Sequence, residues 1–271
     1  MQTSIIDFKK IVWDYYAAQG RIFDWRHVDD PYKVFISEVM LQQTQTVRVA
    51  QKYPLFLAQF PDFKTLAQAS LKDVLMAWQG LGYNRRGMFL HRAAQIIMNE
   101  HTGLLPEDPA KLVQLPGIGN ATASSIAAFA FNKPTVFIET NIRTVFIYFF
   151  FNGKEKVHDS EIFPIIQQTV DTENSREWYY ALMDYGVMLK KTFINPSRKS
   201  KHYTVQSKFE GSDRQIRGAI LKLLTQSNEP LSQEKIMDMV NKNHVRVNNI
   251  LEQLKKEKFI RVCDGNIEIQ S

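Results

Sequence analysis

The sequence predicts a mainly α-helical protein, with a helical core followed by a small domain that ends in a β-hairpin. Three observations support this prediction. Apolar residues recur at helical spacing up to about residue 200, and strand patterns are nearly absent there. Residues 195–212 are rich in Lys, Ser and Asn, which is typical of a domain boundary. Beyond them, Asp264-Gly265 separates two short apolar runs, as in a two-residue hairpin.

The core helices begin and end at recognisable signals. Asp30-Pro31 and Asp108-Pro109 each place a proline in a first helical turn, whereas Gly80-Leu81-Gly82 and Gly103 interrupt helical patterns. The predicted helices are, in chain order, Ile5–Gln19, Tyr32–Val47, Tyr53–Phe60, Phe63–Ala69, Leu71–Trp78, Arg85–Glu100, Pro109–Leu115, the run after Gly119, the run from Arg143 to Phe150, Asp159–Val170 and Arg176–Lys190.

A glycine turn, Leu115–Gly119, joins two of these helices. Its glycines can adopt positive φ, and Ala123, Ile126 and Ala130 form the apolar face of the helix that follows. Such a turn directs backbone N–H groups and a helix N-terminus outward, which suits a phosphate group. Taken alone, however, the turn favours an ordinary helical hairpin with a glycine cap.

Composition limits the class of protein. A chain of 271 residues with 44% hydrophobic and 23% charged residues can form two or three soluble globular units. The single cysteine, Cys263, excludes an internal disulfide and an iron–sulfur cluster held by cysteines of one chain. The sequence shows neither a signal-peptide pattern nor an apolar run that could span a bilayer, so we expect an intracellular protein without a membrane partner.

The net charge of +6 is concentrated in one segment. Residues 190–217 contain eight Lys or Arg and two Asp or Glu, so this segment carries a surplus equal to that of the whole chain. Basic linkers are often only solubilising, but such a concentration of positive charge between two units also favours contact with phosphate groups.

The C-terminal residues predict three helices and a hairpin: Asp213–Leu224, Ser232–Val240, Val245–Lys258, Phe259–Val262 and Ile267–Ile269. This order resembles a winged helix. Such domains bind DNA through the third helix and the wing, or bind other proteins. Arg246 and the cluster Lys255-Lys256-Glu257-Lys258 favour DNA contact slightly over a structural or partner role.

Several motifs occur in one order along the core: DPYKVFISEVMLQQTQT from Asp30, GLGYNRR from Gly80, LPGIGNATA from Leu115 and ETN from Glu139. Together they resemble the helix-hairpin-helix (HhH-GPD) DNA glycosylase superfamily, and within it the MutY-type adenine glycosylases, over roughly Phe23–Met188. The resemblance implies a two-lobed helix-hairpin-helix DNA glycosylase core. It also implies a monofunctional enzyme that flips a mispaired base out of duplex DNA and excises it in base excision repair. The implied base is adenine opposite 8-oxoguanine or guanine.

The corresponding domain boundaries are a core at 1–195, a basic linker at 196–211 and a winged-helix domain at 212–271. Within the core we expect a six-helix lobe at about 27–136 and a second lobe formed by 1–26 and 137–195. We expect the protein to act as a monomer and to be associated with DNA, in the cytoplasm or nucleoid if the source is prokaryotic.

Two carboxylates are candidates for catalysis. Glu38 lies on an otherwise apolar helix face, where desolvation would raise its pKa and suit it to act as an acid. It also matches the family's catalytic glutamate, although a solvent-exposed helical glutamate is the alternative. Glu139 stands where the family has an aspartate that stabilises the oxocarbenium-like sugar. Because Glu139 is one methylene longer, this departure could slow the reaction or mark a different substrate.

The resemblance also implies a base pocket. Arg26 aligns with an arginine of the adenine pocket, and Asp184 belongs to a matched motif. Tyr180 stands where adenine glycosylases usually have a base-reading glutamine. Ala121 occupies the position of the lysine nucleophile of relatives with lyase activity, which argues against Schiff-base strand cleavage.

The same resemblance implies DNA contacts in three groups. Gln42, Gln43 and Tyr83 match residues that wedge into the duplex, although Tyr83 could equally be a core aromatic residue. The second group is the hairpin, which would bind the DNA backbone through Leu115, Gly117, Gly119 and Thr122. The third group follows Glu139, where Asn141 would supply a polar contact and Arg143 a contact with phosphate.

Two family features are missing from the sequence. The four cysteines that hold an iron–sulfur cluster are absent, with Lys190 near the position of the first, so no cluster is expected as a cofactor. The hairpin carbonyls could hold a monovalent cation. We also expect no domain of the kind that recognises 8-oxoguanine in these relatives, because the predicted winged helix occupies its place.

Two alternatives stay open at this stage. One is a thymine or uracil glycosylase that acts at mismatches with guanine. The other is a DNA lesion-binding protein whose catalysis is weakened by Glu139.

Overall fold

The computed structural model describes residues 4–270 as α-helices with one small antiparallel sheet near the C-terminus; residues 1–3 and 271 lie outside the described part. The helices are α1 Ile5–Gln19, α2 Pro31–Leu41, α3 Thr46–Gln59, α4 Phe63–Gln68, α5 Leu71–Ala77, α6 Arg85–Glu100, α7 Pro109–Leu112, α8 Asn120–Phe131, α9 Thr140–Phe150, α10 Asp159–Thr169, α11 Ser175–Thr192, α12 Asp213–Gln226, α13 Gln233–Val240 and α14 His244–Lys256. The strands are β1 Leu231–Ser232, β2 Ile260–Cys263 and β3 Asn266–Ile269.

Local sequence explains most of the helix starts. The side chains of Ser4, Asp62, Ser70 and Asp108 each accept a hydrogen bond from a backbone N–H of the helix that they precede. These bonds satisfy donors that a helix start leaves without an internal partner.

One predicted helix is wrong in its extent. The run Tyr32–Val47 is two helices, because α2 ends at Leu41 and α3 begins at Thr46. Gln43 adopts a left-handed φ of 54°, which ends the helical path between them. The helix predicted to begin at Tyr53 is the second half of α3, which continues through Pro54.

The described chain divides into two compact units. The first contains the chain up to Glu38, Pro106–Gln114 and Ile118–Val205; the second contains Val39–Leu105, Leu115–Gly117 and the chain from Gln206 onwards. In this division the C-terminal helices are grouped with helices that precede residue 105, and the predicted domain boundaries stay a prediction.

In the first unit, α11 packs against α1 and α9. The approach to α9 is close at Gly186, where a Cβ atom would lie 2.4 Å from the carbonyl oxygen of Asn141. Aromatic side chains fill the space between α1 and α11; for example, the ring centroids of Phe8 and Trp178 lie 5.8 Å apart. This packing fixes α11, which carries Tyr180 and Asp184.

In the second unit, the C-terminal domain shares a core with α5 and α6. Its buried members are Leu71, Leu75 and Met88 from those two helices, with Ile216, Ile220, Leu221, Leu224, Leu231, Ile236, Val247, Ile250, Leu251, Leu254, Phe259, Ile260, Ile267 and Ile269 from the C-terminal domain. The C-terminal domain is therefore built onto the helices of this unit.

The predicted hairpin is present, with β2 and β3 paired antiparallel and Asp264-Gly265 between them at positive φ. The sequence does not predict β1, which pairs with β3 to give the sheet order β1-β3-β2. The assignment of these elements to the winged-helix class stays an interpretation.

The predicted linker 196–211 is ordered in its first part. Pro196–Lys199 form a short 3₁₀ helix. The backbone of Val157 pairs with this stretch, since its N–H donates to Lys199 O and its carbonyl accepts from Lys201 N, both at 2.9 Å. Among residues 4–270, none of the helices combines the length and the apolar character needed to cross a bilayer.

Candidate active site

Glu38 lies in the last turn of α2 and is half-buried, while Val34, Phe35 and Val39 around it on the helix are buried. Burial raises the pKa of its carboxyl group to about 7. A hydrogen bond from Ser125 acts in the opposite direction, and the negative charge of Glu139 adds to the increase. The carboxyl group can therefore be protonated near neutral pH and give up a proton there.

The hydroxyl group of Ser125 is the hydrogen-bond partner of Glu38, with Oγ 2.6 Å from Oε2. The same hydroxyl lies 3.0 Å from the carbonyl oxygen of Thr122. Ser125 is buried on α8, one turn after Ala121, and faces the carboxyl group from the helix that follows the glycine turn. Because a hydroxyl can donate or accept, it can serve Glu38 in either protonation state.

Glu139 immediately precedes α9 and caps it. Its Oε1 accepts hydrogen bonds from the backbone N–H groups of Asn141 and Ile142 at 2.7 and 3.0 Å, and its Oε2 accepts one from Asn141 Nδ2 at 3.2 Å. A carboxylate at this position also interacts favourably with the positive end of the helix dipole. The longer side chain thus does what an aspartate cap would do, and its orientation is fixed by backbone.

Arg26 and Asp184 form a buried ion pair. Arg26 donates to both carboxylate oxygens of Asp184 at 2.9 and 2.7 Å, and Arg21 donates to the same carboxylate through its backbone N–H and its Nε. Burial alone would raise the pKa of Asp184, but the hydrogen bonds and charges of the two arginines outweigh it and hold the pKa below its usual value. Arg26 is therefore held by α11 and is not presented as an open cationic group.

Tyr180 is buried against aromatic and cationic neighbours. Its ring stacks on Phe129 with centroids 4.6 Å apart, and the guanidinium carbon of Arg26 lies 4.4 Å from its centroid. Burial, followed by the charge of Glu38, raises the pKa of the phenol group. Of the predicted pocket residues, Arg26, Tyr180 and Asp184 therefore lie together. Ala121 is exposed in the first turn of α8.

The residues that follow Glu139 are bound within the protein. Arg143 forms a bidentate ion pair with Asp159 at the start of α10, with both nitrogen–oxygen distances 2.7 Å. Arg143 therefore joins α9 to α10 through Nε and Nη2, and the expected phosphate contact stays a prediction. The Oδ1 atom of Asn141 is buried and has no hydrogen-bond partner.

The hairpin residues differ in their roles. The side chain of Leu115 is buried, so only its backbone can meet a ligand. Gly117 has φ of 78°, and a Cβ atom there would lie 3.1 Å from Phe89, so the turn requires glycine at this position. Gly119 has an ordinary φ and precedes α8, while Thr122 lies half-buried in its first turn.

The predicted wedge residues lie in the second unit. Gln42 donates a hydrogen bond to Gly117 O at 3.3 Å, and Gln43 is exposed at its positive φ. Tyr83 is half-buried and also has a positive φ, of 48°. Tyr83 is therefore not a fully buried core aromatic residue.

The sequence did not predict a role for Arg86, whose hydrogen bonds join the segment of Gln42 and Gln43 to the loop that precedes Tyr83. Its Nη1 donates to the carbonyl oxygens at the end of α2, and its Nη2 to Thr44 Oγ1 at 2.8 Å and to the carbonyls of the Gly80–Gly82 turn. Burial lowers its pKa to about 10. Ser125 was also missed. The signals in the sequence were the second arginine of GLGYNRR and a serine within an alanine-rich helix face.

No group of three or more His, Cys, Asp or Glu side chains within residues 4–270 could hold a metal ion. The expectation of a monovalent cation at the hairpin carbonyls stays a prediction.

Comparison with protein families gives one match. Residues 36–163 match the family described as "HhH-GPD superfamily base excision DNA repair protein". This range contains Glu38, Ser125 and Glu139, but not Arg26, Tyr180 or Asp184.

Several similar proteins are named adenine DNA glycosylase. The protein from Buchnera aphidicola subsp. Baizongia pistaciae is 31% identical over 69% of this chain and 54% of its own length. That of Mycobacterium tuberculosis is 27% identical over 98% of this chain and 93% of its own length. The chain spans 54% and 61% of the length of the two Buchnera aphidicola proteins from Baizongia pistaciae and Acyrthosiphon pisum.

Two solved structures share the fold. A thermostable thymine-DNA glycosylase superposes with a TM-score of 0.61 over 73% of this chain and 90% of its own, at 21% identity. Endonuclease III in a non-covalent DNA complex superposes with a TM-score of 0.56 over 76% of this chain and 91% of its own, at 14% identity. At these identities the likeness concerns the fold alone.

Proposed function

The chain belongs to the HhH-GPD superfamily of base excision DNA repair proteins, and on this premise we propose that it is a monofunctional DNA glycosylase. It flips a mispaired base out of duplex DNA and hydrolyses the N-glycosidic bond. The base is adenine opposite 8-oxoguanine or guanine. The protein acts as a monomer, and its substrate places it with the DNA inside the cell.

The observation that carries the proposal is the Glu38 carboxyl group, whose pKa is raised to about 7 by burial and which lies 2.6 Å from Ser125 Oγ. As the bond between the sugar C1′ and the base nitrogen breaks, its electron pair moves to the base. Glu38 supplies the proton that neutralises the departing base. A general acid with a pKa near the working pH is the most effective one.

Glu139 supplies the second charge. The sugar becomes oxocarbenium-like as the base leaves, and a fixed carboxylate stabilises this cation. Water then adds its oxygen to C1′ and gives up a proton to the Glu38 carboxylate, which leaves a neutral sugar, restores the protonated acid and completes the hydrolysis. The three hydrogen bonds that hold the Glu139 carboxylate give it a fixed orientation before the charge develops.

The monofunctional part of the proposal rests on the start of α8. Ala121 lies in its first turn, where relatives with lyase activity carry a lysine nucleophile, so no Schiff base can form at this position. The choice of adenine as the excised base is supported by the similar proteins, which are named adenine DNA glycosylase. The second candidate, thymine or uracil opposite guanine, is favoured by one observation: Tyr180 stands in place of a base-reading glutamine. A lesion-binding protein with weak catalysis is the third.

Single-turnover excision on a panel of duplexes tests the proposal. The panel holds adenine opposite 8-oxoguanine and opposite guanine, thymine and uracil opposite guanine, and a matched duplex, and products are separated with and without hot alkali. We expect alkali-dependent cleavage at adenine, abolished in Glu38→Gln and retained in Glu100→Gln, which makes the same change at an exposed helix end.

Cleavage at thymine or uracil alone would support the second candidate. Cleavage without alkali would contradict the monofunctional assignment. Binding without cleavage on every duplex would leave only the lesion-binding protein.

A further inference from the structure

Tyr83 is held by the segment that leads into the C-terminal domain. Its hydroxyl oxygen accepts a hydrogen bond from Arg214 Nη1 at 3.0 Å and another from Gln206 Nε2. The guanidinium carbon of Arg214 lies 5.7 Å from the centroid of the Tyr83 ring, and that of Arg86 lies 5.5 Å from it. Two cations and two hydrogen bonds thus converge on a half-buried ring in a loop.

The guanidinium group of Arg214 is also held by hydrogen bonds to the segment that precedes α12. Arg214 lies in the first turn of α12, and its Nη2 donates to Ser207 O at 2.7 Å, to Ser207 Oγ at 3.1 Å and to Lys208 O at 3.4 Å. The planar guanidinium group makes these bonds and the bond to Tyr83 from opposite ends of one rigid fork. The basic segment therefore folds back onto Arg214.

A packed core sets the position of α12 relative to the loop. Ile216 and Ile220 pack with Leu71, Leu75 and Met88 of α5 and α6, the two helices that flank Tyr83 in the chain. Polar contacts add to this core: Gln79 Nε2 donates to Thr225 Oγ1 at 2.8 Å, and Lys72 Nζ donates to Ser227 O at 2.6 Å. Because packed cores resist displacement, Arg214 cannot move far from Tyr83 without disturbing this interface.

We propose that Arg214, assisted by Gln206, is a positioning residue that holds the Tyr83 ring in the orientation in which it enters the duplex. The C-terminal domain, which carries Arg214, thereby contributes to recognition of the mismatch. This inference rests on the proposed function, since it takes the partner of Tyr83 to be duplex DNA. A ring that is already ordered loses less conformational freedom when it stacks between bases, and affinity improves as that cost falls.

The cationic surroundings fit the same partner. Arg214 is anchored in the basic segment between Lys190 and Arg217, and positive charge attracts the phosphates that flank a wedge. Arg86 joins the Tyr83 loop to the turn that carries Gln42 and Gln43 through bonds to the carbonyls of both segments. The Tyr83 ring thus contacts Arg86, which binds the turn of Gln42 and Gln43. The Tyr83 hydroxyl group accepts a hydrogen bond from Arg214 of the C-terminal domain.

A double-mutant cycle in the full-length chain tests the proposal. The variants Arg214→Ala, Tyr83→Phe and their combination are made in the Glu38→Gln background, so that binding is measured without cleavage. Two quantities are recorded: the ratio of dissociation constants for matched and mismatched duplexes, and the fluorescence of a 2-aminopurine base beside the mismatch, which reports unstacking. Arg261→Ala is the control, since it removes an arginine of the same domain that pairs with Glu268 on the hairpin.

We expect each single variant to lose roughly 10-fold in mismatch discrimination, the size of one hydrogen bond to a charged group, together with most of the fluorescence increase. The combination should lose no more than either single variant, because both remove the same contact. Arg261→Ala should retain discrimination and fluorescence. Thermal unfolding verifies that all variants are folded.

Discrimination in Arg214→Ala equal to that of its parent would overturn the inference, as would additive losses in the combination. Excision by the wild-type chain together with either of these results would remove this inference alone and leave the proposed function standing. Conversely, a wild-type chain that excises no base would contradict the proposed function, while a coupled loss of discrimination would still support the role of Arg214.

Discussion

The hydroxyl oxygen of Ser125 lies 2.6 Å from Glu38 Oε2 and 3.0 Å from the carbonyl oxygen of Thr122. A hydroxyl has one proton, so it donates to the carboxylate when Glu38 is ionised. When Glu38 is protonated, Ser125 can accept that proton's hydrogen bond and donate to Thr122 instead. The serine therefore holds the acid in place before and after proton transfer.

Replacement of this serine should change the acidity of Glu38. The hydrogen bond from Ser125 lowers the pKa, so in Ser125→Ala the pKa should rise above that of the wild-type carboxyl group. We expect the alkaline decline of the single-turnover excision rate to move to higher pH. Ser124→Ala, one position earlier on the same helix, is the matched control and should leave the profile unchanged. A decline that moves to lower pH would contradict this role.

The stability of the protein should depend on Glu38 in a predictable direction. The pKa of Glu38 is about 7 in the folded protein, against 4.5 for an unperturbed glutamate, so between these values the folded state binds more protons than the unfolded state. The free energy of unfolding should therefore fall as the pH rises from 4.5 to 7. Glu38→Gln removes this effect and should be more stable than wild type at about pH 8 by on the order of 3 kcal/mol.

Urea unfolding of the two proteins measures this difference, which should disappear near pH 4.5, where the folded wild-type protein and the variant both carry a neutral side chain. Glu100→Gln provides the comparison for a change of charge at an exposed site. A Glu38→Gln variant that is less stable than wild type above neutral pH would show that the carboxylate is stabilised in the fold.

Asp184→Asn tests the buried ion pair. The change leaves the guanidinium group of Arg26 buried beside a neutral amide, which should cost about 3–5 kcal/mol of unfolding free energy. The loss should be accompanied by weaker base binding, because Arg26 also supports Tyr180. Chemical denaturation measures the loss, with Asp14→Asn as the control at an exposed pair with Lys10. Equal stabilities of the two variants would contradict the importance of the buried pair.

The negative charge of Glu139 should matter more for the excision rate than its capping of α9 matters for stability. Glu139→Gln keeps a side-chain oxygen that can accept from the backbone of α9, but it removes the negative charge, so we expect a fall of roughly 100-fold in single-turnover rate with little change in thermal unfolding. The same change should lower the pKa of Glu38, because the charge of Glu139 raises it. Glu139→Asp should remain within about tenfold of wild type. A larger gain would identify the wild type as a weakened enzyme.

Local signals were sufficient to predict much of the fold and part of the site. The periodicity of apolar residues, the prolines after Asp30 and Asp108 and the Asp264-Gly265 turn each act within a few residues, and the corresponding elements are present. Glu38 could be selected because its own helix face is apolar. The end of α2 was missed because the backbone carbonyls there are satisfied by Arg86, which is distant in the chain.

The unpredicted features all depend on contacts between distant residues. Ser125 becomes a partner of Glu38 only when α8 and α2 meet, and Arg214 reaches Tyr83 only because α12 packs on α5 and α6. The ion pair of Arg143 with Asp159 likewise forms only because α9 and α10 meet. Periodicity describes one element at a time, and it contains no information on which elements pack together.

The pH dependence of single-turnover excision tests the central claim, that this protein releases a base with Glu38 as the proton donor, most directly. On the duplex that the wild-type protein cleaves, the rate should be constant below about pH 6 and should decline about tenfold per pH unit above an inflection near 7, because only the protonated acid is active. Glu38→Gln should be slower than wild type by about 10²–10⁴-fold below about pH 6 and should lack the decline near pH 7, so that the two rates converge at alkaline pH. A wild-type rate that rises with pH through neutrality, or Glu38→Gln activity equal to that of wild type below about pH 6, would contradict the claim.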